Sequence, residues 1–314
     1  MINFNSKIYV AGHNGLVGSA ILRRLRLKGF NNIIYRSKKQ LDLKDQKKVF
    51  KFLKKNKPNF IFIAAAKVGG IHSNNKYRAE FIYENLLIQT NLIHSAYLCN
   101  IKNLIFLGSS CVYPKFCKQP IKENFLLSGL LETTNEPYAI AKIAGIKMCE
   151  SYNLQYGTNY KCLMPTNTFG PNDKYDTLDS HFFPALLKKV YELKINNKNS
   201  LQIWGNGKAK RELIYVDDVA DACIYFMNRK IRENIINIGT GKDFTINYYA
   251  KLLLKKILPK VKTKIIYDTS KPNGTPRKVL DVSLSHKYGW KASFDMNHAL
   301  KLTIDDYVAK YHDK

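Results

Sequence analysis

Tyr138 and Lys142 stand four residues apart, and Ser109 lies twenty-nine residues upstream of the tyrosine. On a helix that spacing sets both side chains on one face, about 6 Å apart along the axis. An ammonium so placed can hold a ribose and lower the phenol's pKa, making Tyr138 a proton donor or acceptor near neutral pH. A serine hydroxyl beside that phenol can hold a carbonyl oxygen while it is reduced. Near the start of the chain, Gly12, Gly15 and Gly18 lie between an apolar run and a helical pattern. In that setting missing side chains let the backbone approach a dinucleotide diphosphate, and the helix N-terminus supplies amide donors. The three pieces, in this order along the chain, point to a nicotinamide-dependent oxidoreductase.

The choice of dinucleotide is read at the end of the second strand. An acidic residue about 20 positions beyond the glycines would bind the ribose 2′-hydroxyl and favour NAD. This chain has Arg36-Ser37-Lys38-Lys39 there instead. Cations and a hydroxyl donor suit a 2′-phosphate, so NADP is expected. Asp42, slightly further on, is expected to meet the adenine or adjacent backbone.

These residues need a scaffold, and strand and helix patterns alternate from the first residues. Lys7 to Ala11, Asn32 to Tyr35, Phe60 to Ala66, Leu104 to Leu107 and Lys161 to Met164 read as strands. Helices are expected from Leu16 to about Lys28, about Ala79 to Cys99, and about Tyr138 to Tyr156. Such alternation predicts an α/β fold, a Rossmann-type doubly wound parallel sheet whose ligands bind at the strands' carboxyl ends. After Pro165 the texture changes to turn-rich segments, which predicts a smaller C-terminal substrate-binding domain. The sheet is expected to regain the chain at Leu213 to Tyr215 and Ile235 to Ile238, with a helix from Val216 to Met227 between. The expected division is 1–167, plus returning segments at about 213–238, for the NADP-binding domain. About 168–212 and 239–314 would then form the nucleotide-sugar-binding domain.

Bulk properties narrow the class. A chain of 314 residues with 45% hydrophobic content can bury a large core. It has no apolar stretch of about 18 residues, so no membrane span is expected. Nor is a signal-peptide core visible before the first strand, which predicts a cytoplasmic protein. Six cysteines without a CxxC pair or a zinc-like cluster predict reduced thiols and no metal site. The net charge of +27 is scattered over helix surfaces without a nucleic-acid-binding motif, so no nucleic-acid partner is expected. Its positive field should draw in anionic ligands such as a nucleotide sugar.

Longer strings carry a family resemblance. Ala64-Ala65-Ala66-Lys67-Val68-Gly69-Gly70-Ile71, Gly108-Ser109-Ser110-Cys111-Val112-Tyr113-Pro114, Asn135-Glu136-Pro137-Tyr138 and Met164-Pro165-Thr166-Asn167 closely resemble the GDP-L-fucose synthases. The likeness continues through Ser180-His181, Pro184 to Leu187, Trp204-Gly205, Arg211-Glu212, Val216-Asp217-Asp218 and Lys271 to Lys278. It implies conversion of GDP-4-keto-6-deoxy-D-mannose to GDP-L-fucose by two epimerisations, at carbons 3 and 5, and an NADPH-dependent reduction at carbon 4. Cys111 and His181 would be the acid and base of the epimerisations, Ser109 and Tyr138 would serve the reduction, and Lys142 would grip the ribose. The likeness also implies cofactor contacts from the whole turn (Gly12, His13, Asn14, Gly15, Leu16, Val17, Gly18) and from Arg36, Ser37, Lys38, Asp42, Ala65, Leu107 and Gly108. Pro165, Thr166, Asn167, Thr168 and His181 would complete that pocket. Lys189, Trp204, Arg211, Asn273 and Arg277 would hold the GDP-sugar. Two departures stand out: Lys188 and Lys189 replace arginines of the family pattern, and Asn273 replaces an Asp. A C4-reductase for a related GDP-4-keto-6-deoxy sugar, such as a heptose, without epimerase activity, is the alternative. The two long helices resemble those that pair across a dimer interface in this superfamily, so a homodimer is expected.

Overall fold

The computed structural model describes residues 2–176, 179–271 and 274–312. The chain opens with β1 (Ile8–Ala11), α1 (Leu16–Leu27), β2 (Ile33–Ile34), α2 (Gln46–Asn56), β3 (Phe60–Ile63), α3 (Ile71–Lys76) and α4 (Arg78–Leu98). It continues through β4 (Asn103–Leu107), α5 (Glu136–Tyr156), β5 (Asn159–Pro165), β6 (Asn167–Phe169) and α6 (Phe182–Ile195). Next come β7 (Ser200–Trp204), β8 (Lys210–Tyr215), α7 (Val216–Met227) and β9 (Ile235–Ile238). The last elements are β10 (Asp243–Thr245), α8 (Ile246–Ile257), β11 (Lys264–Asp268), β12 (Arg277–Lys278), α9 (Ser283–Lys287) and α10 (Met296–Tyr311).

The main sheet has six strands in the order β2-β1-β3-β4-β5-β9, every neighbouring pair parallel. Its strands are continuous apolar runs, because helices cover both faces and leave no solvent side to alternate toward. Ile8 to Ala11 and Phe60 to Ile63 are buried throughout. One core lies under α1, α6 and α7, and a second under α2, α4 and α5. Strand order reverses between β1 and β3, so the crevice beyond their carboxyl ends is the switch point at which such sheets bind ligands.

The doubly wound parallel expectation holds, with differences in detail. Leu213 to Tyr215 does not return to the main sheet. Within β8 it pairs in parallel with β6, while the earlier part of β8 lies between β10 and β12 in a second sheet. Only Ile235 to Ile238 extends the main sheet, where β9 pairs with β5. Asn167 to Phe169, at the start of the turn-rich stretch, is the strand that pairs with the end of β8. β7 and β11 form a separate parallel pair. Among the described residues no helix is long and apolar enough to cross a membrane.

Candidate active site

The glycine turn joins β1 to α1 at the switch point. Gly12 has a φ of +87, and a Cβ there would stand 2.6 Å from the Ala65 nitrogen, so only glycine lets β1 exit this close to the segment after β3. A Cβ on Gly18 would collide with the Gly12 carbonyl, which keeps α1 tight against the turn. Gly15 is the N-cap of α1 and brings no side-chain cap, so the first-turn amides of Leu16, Val17 and Gly18 open toward the crevice. His13 packs its ring 4.6 Å from Tyr35, and its Nδ1 is buried without a hydrogen-bond partner among the described residues. An unsatisfied polar atom beside an uncapped helix start is a site built for a polar ligand.

At the end of β2, Arg36 is exposed, its guanidinium 5.5 Å from the Phe52 ring centroid and one nitrogen donating to the Tyr35 carbonyl. Ser37 donates from its nitrogen and hydroxyl to Gln40 Oε1, and Lys38 is exposed. Asp42 turns inward to accept from the Lys44 nitrogen at 3.0 Å. The mouth of the crevice is therefore cationic at the point where an NAD site carries its carboxylate.

The reacting groups gather beyond β4 and β5. Leu107 ends β4, and Gly108 donates to the Leu163 carbonyl, starting the loop that bears Ser109 and Cys111. Ser109 Oγ accepts from the Cys111 nitrogen at 3.3 Å and so caps the short 3-10 turn that follows. Farther along, the buried Tyr113 hydroxyl donates to Asn237 Oδ1 at 2.6 Å, pinning this loop to β9. Pro137 in the first turn of α5 presets the helix that presents Tyr138 and Lys142 on one face. Burial pushes the Tyr138 phenol above its ordinary pKa and Cys111 adds to this, while hydrogen bonding with the Ser109 side chain pulls it down. Lys142 points its Nζ to the Leu107 carbonyl at 2.8 Å, 5.8 Å from the Tyr138 ring centroid. Burial lowers its pKa to about 8. The expected depression of Tyr138 by Lys142 is not found: burial dominates and holds the phenol in its protonated form.

His181 is the N-cap of α6 and makes no side-chain cap bond, which leaves its ring free for the cleft. His181 is exposed. Desolvation by the protein around it lowers its pKa, and the charge of Lys278 lowers it further. Lys278 also places its Nζ 3.8 Å from Cys111 Sγ. One cation therefore joins the two groups expected to move protons. Arg277, its neighbour on β12, faces the other way and forms a bidentate pair with Asp243 at 2.7 and 3.0 Å. Of these two cations, Lys278 is the one beside Cys111. Adjacent strand residues point to opposite faces, but the sequence does not say which face of a two-residue strand looks into the cleft.

Around this centre, Pro165 ends β5 and Thr166 donates from its nitrogen to the Ile238 carbonyl at 3.0 Å. Asn167 Nδ2 donates to the Glu212 carbonyl at 2.9 Å, and the Thr168 hydroxyl donates to the Thr166 carbonyl. Glu212, part of the family-like string Arg211-Glu212 but without an expected role, is fully buried on β8. Its Oε1 accepts from the nitrogens of Thr240 (2.5 Å) and Gly241 (2.7 Å), and its Oε2 from that of Leu280 (2.8 Å). That clamp ties the turn after β9 and the segment after β12 to the strand carrying Arg211. Arg211 donates to the carbonyls of Lys210 and Thr275 at 2.8 and 2.6 Å. Burial lowers the Arg211 pKa, and Cys111 and Glu132 nearby oppose that shift. Farther out, Trp204 ends β7 with 41% of its surface exposed. The ammonium groups of Lys189 and Lys271 stand 5.4 and 5.9 Å from its ring centroid. An aromatic face ringed by cations suits a nucleobase and its phosphates. Asn273 lies outside the described residues. No cluster of metal-ligating side chains occurs among the described residues.

Comparison with known proteins agrees with this geometry. Residues 8–239 match the model of the NAD dependent epimerase/dehydratase family. A protein described as putative GDP-L-fucose synthase 2 of Arabidopsis thaliana is 48% identical, over 98% of this chain and 93% of its own. The GDP-L-fucose synthase of Escherichia coli (strain K12) is 45% identical, over 96% of each. Among solved structures, a GDP-mannoheptose C4 reductase from Campylobacter jejuni with NADP bound superposes with a TM-score of 0.87. It is 38% identical, over 98% of this chain and 99% of its own. With its glycine turn, its Ser-Tyr-Lys constellation and its cleft-facing Cys and His aligned on one sheet edge, the chain belongs to the NAD dependent epimerase/dehydratase family and, within it, to the GDP-L-fucose synthases and their relatives.

Proposed function

We propose that the protein is an NADPH-dependent epimerase-reductase that converts GDP-4-keto-6-deoxy-D-mannose to GDP-L-fucose. The observation that carries this reading is the contact of Lys278 with Cys111, with His181 under the same cation. A simple reductase has no use for an ion-supported thiol beside its Ser-Tyr-Lys centre.

The uncapped start of α1, the unsatisfied His13 nitrogen and the cationic end of β2 fit NADP, and the solved relative with NADP bound supports that choice. When bound, NADPH supplies the hydride for carbon 4 of the sugar. The chain's own residues then divide the proton traffic. The 4-keto group acidifies the hydrogens on carbons 3 and 5. The Lys278 ammonium stands 3.8 Å from Cys111 Sγ, and Cys111 is the base that removes each proton. His181, across the cleft, returns a proton to the opposite face. Tyr138 is held protonated by burial and gives its proton to the oxygen at carbon 4, beside which the Ser109 hydroxyl lies. Lys142, whose Nζ donates to the Leu107 carbonyl here, would hold a ribose hydroxyl of the bound cofactor. Trp204 would take the guanine face, and Lys189 and Arg211 the diphosphate.

The second reading is a C4-reductase acting on a longer GDP-4-keto-6-deoxy sugar without epimerisation, which the likeness to the GDP-mannoheptose C4 reductase favours. Turnover of GDP-4-keto-6-deoxy-D-mannose with NADPH in heavy water separates the two. GDP-L-fucose labelled at carbons 3 and 5 supports the epimerase-reductase, and a reduced, unlabelled product supports the alternative.

The working unit is proposed to be a homodimer. Tyr83 and Leu98 of α4 and Leu154 of α5 are exposed apolar side chains on the paired long helices, and sedimentation of wild type against Leu154→Glu tests the assignment. All six cysteines are unpaired, which fits a cytoplasmic enzyme.

A further inference from the structure

The geometry points to Asn172 as a positioning residue for the cofactor-binding turn, held from behind by the C-terminal helix; the inference rests on the cofactor reading above. Asn172 follows β6 and has a φ of 71, a left-handed conformation that asparagine tolerates better than most residues. Its side-chain amide bonds in two directions. Nδ2 donates to the Asn14 carbonyl at 2.8 Å and to Ser19 Oγ at 3.2 Å. Oδ1 accepts from Lys310 Nζ at 3.0 Å. The Asn172 nitrogen donates to Asp306 Oδ2 at 2.8 Å, and the same carboxylate oxygen accepts from Lys310 at 2.9 Å. Two charged residues one turn apart on α10 thus lock the backbone and the side chain of Asn172 together.

The two groups that Asn172 holds bracket the start of α1. A peptide unit is planar, with its carbonyl and N–H pointing in opposite directions. In the unit between Asn14 and Gly15, Asn172 takes the oxygen and the Gly12 carbonyl takes the N–H at 3.0 Å. Rotation of this peptide would break both bonds. Ser19 Oγ donates in turn to the Leu16 carbonyl at 3.0 Å, so Asn172 also steadies the first helical turn. The amides of Leu16, Val17 and Gly18 lie between these two points, and their aim sets how well the turn receives a diphosphate. A glycine-rich turn is free to adopt other conformations, and here a helix from the far end of the chain holds it in one.

Calorimetric titration of NADPH and, separately, of GDP into wild type, Asn172→Asp, Asn172→Gly and Lys310→Gln tests this. Aspartate keeps the left-handed backbone and the Lys310 contact but sets an acceptor against the Asn14 carbonyl. Glycine keeps the backbone and removes the side chain. Both are expected to weaken NADPH binding about three- to tenfold, the worth of one net hydrogen bond, with GDP binding unchanged. Lys310→Gln is expected to act in the same direction and less strongly. Amide exchange across residues 12–19 should quicken in the glycine variant, with the rest of α1 unchanged. NADPH affinity equal to wild type in both Asn172 variants overturns the inference, as does parallel weakening of GDP, which would mark a general loosening. Failure of wild type itself to bind NADPH would overturn the cofactor reading, and this inference with it.

Discussion

Replacing Lys278 with methionine removes the cation beside Cys111 while keeping most of the stem's packing. Two unit charges 3.8 Å apart, the distance from Lys278 Nζ to Cys111 Sγ, attract by about 1 kcal/mol in bulk water and about 4 kcal/mol at an effective dielectric near 20. Both residues are half-buried, so the attraction for negative charge at the sulfur lies between those limits, at about 2 kcal/mol. If Cys111 is the base, losing that attraction should slow proton abstraction about 30-fold. The assay is deuterium entry into GDP-4-keto-6-deoxy-D-mannose in heavy water, followed by NMR with NADP⁺ in place of NADPH so that reduction does not intervene. Lys278→Arg should recover most of the rate, because charge and not shape is at issue. His181 supplies a second readout. Burial and Lys278 both lower its pKa, so removing the lysine should move the limb of the pH profile owed to His181 to higher pH. Exchange within twofold of wild type in Lys278→Met, or an arginine variant no better than methionine, would refute the assignment of Cys111 as an ion-supported base.

Tyr138→Phe should lower reduction, followed as NADPH oxidation, by about 10²–10⁴-fold and leave deuterium exchange at the sugar intact, since in the proposed mechanism the phenol serves the carbon 4 oxygen. Trp204→Ala should weaken GDP binding about 5- to 150-fold, the range for a lost base-stacking contact of about 1–3 kcal/mol, and spare NADPH, as paired titrations would report. The double variant Arg36→Ala, Lys38→Ala should cut the preference for NADPH over NADH by about tenfold or more through loss of charge-assisted bonds to the 2′-phosphate. The ratio of kcat/KM values for the two cofactors measures it.

Much of the scaffold was legible because its physics is local. Continuous apolar runs such as Phe60 to Ile63 and spaced glycines such as Gly12 to Gly18 announce buried parallel strands and a tight turn, and Tyr138 with Lys142 needs only a helix to share a face. Long-range placement was less legible. Leu213 to Tyr215 reads as a buried strand, but an apolar run looks alike in either sheet, and only its pairing with β6 decides which one it joins. Arg277 and Lys278 are neighbours with the same charge, and the face each takes follows from Asp243 on another strand. The pKa of Tyr138 depends on how much protein surrounds the phenol, which spacing along a helix does not report. Asn172 carried no signal, since its partners Asn14, Asp306 and Lys310 are distant in the chain.

The buried carboxylate of Glu212 bears on how sugar preference could be exchanged among relatives. It binds backbone at Thr240, Gly241 and Leu280 from a strand that also carries Arg211. The last third of the chain is therefore not a detachable cap, and a chimera joined just after β9 would mate one parent's glutamate with the other parent's turn. Wherever the recipient turn differs in shape, an unpaired buried anion results, at a cost of several kcal/mol. Grafts that carry β8, the 239–241 turn and the segment through Leu280 together would keep this carboxylate with its own partners, and only a graft that begins at α6 would also carry Lys189 and Trp204.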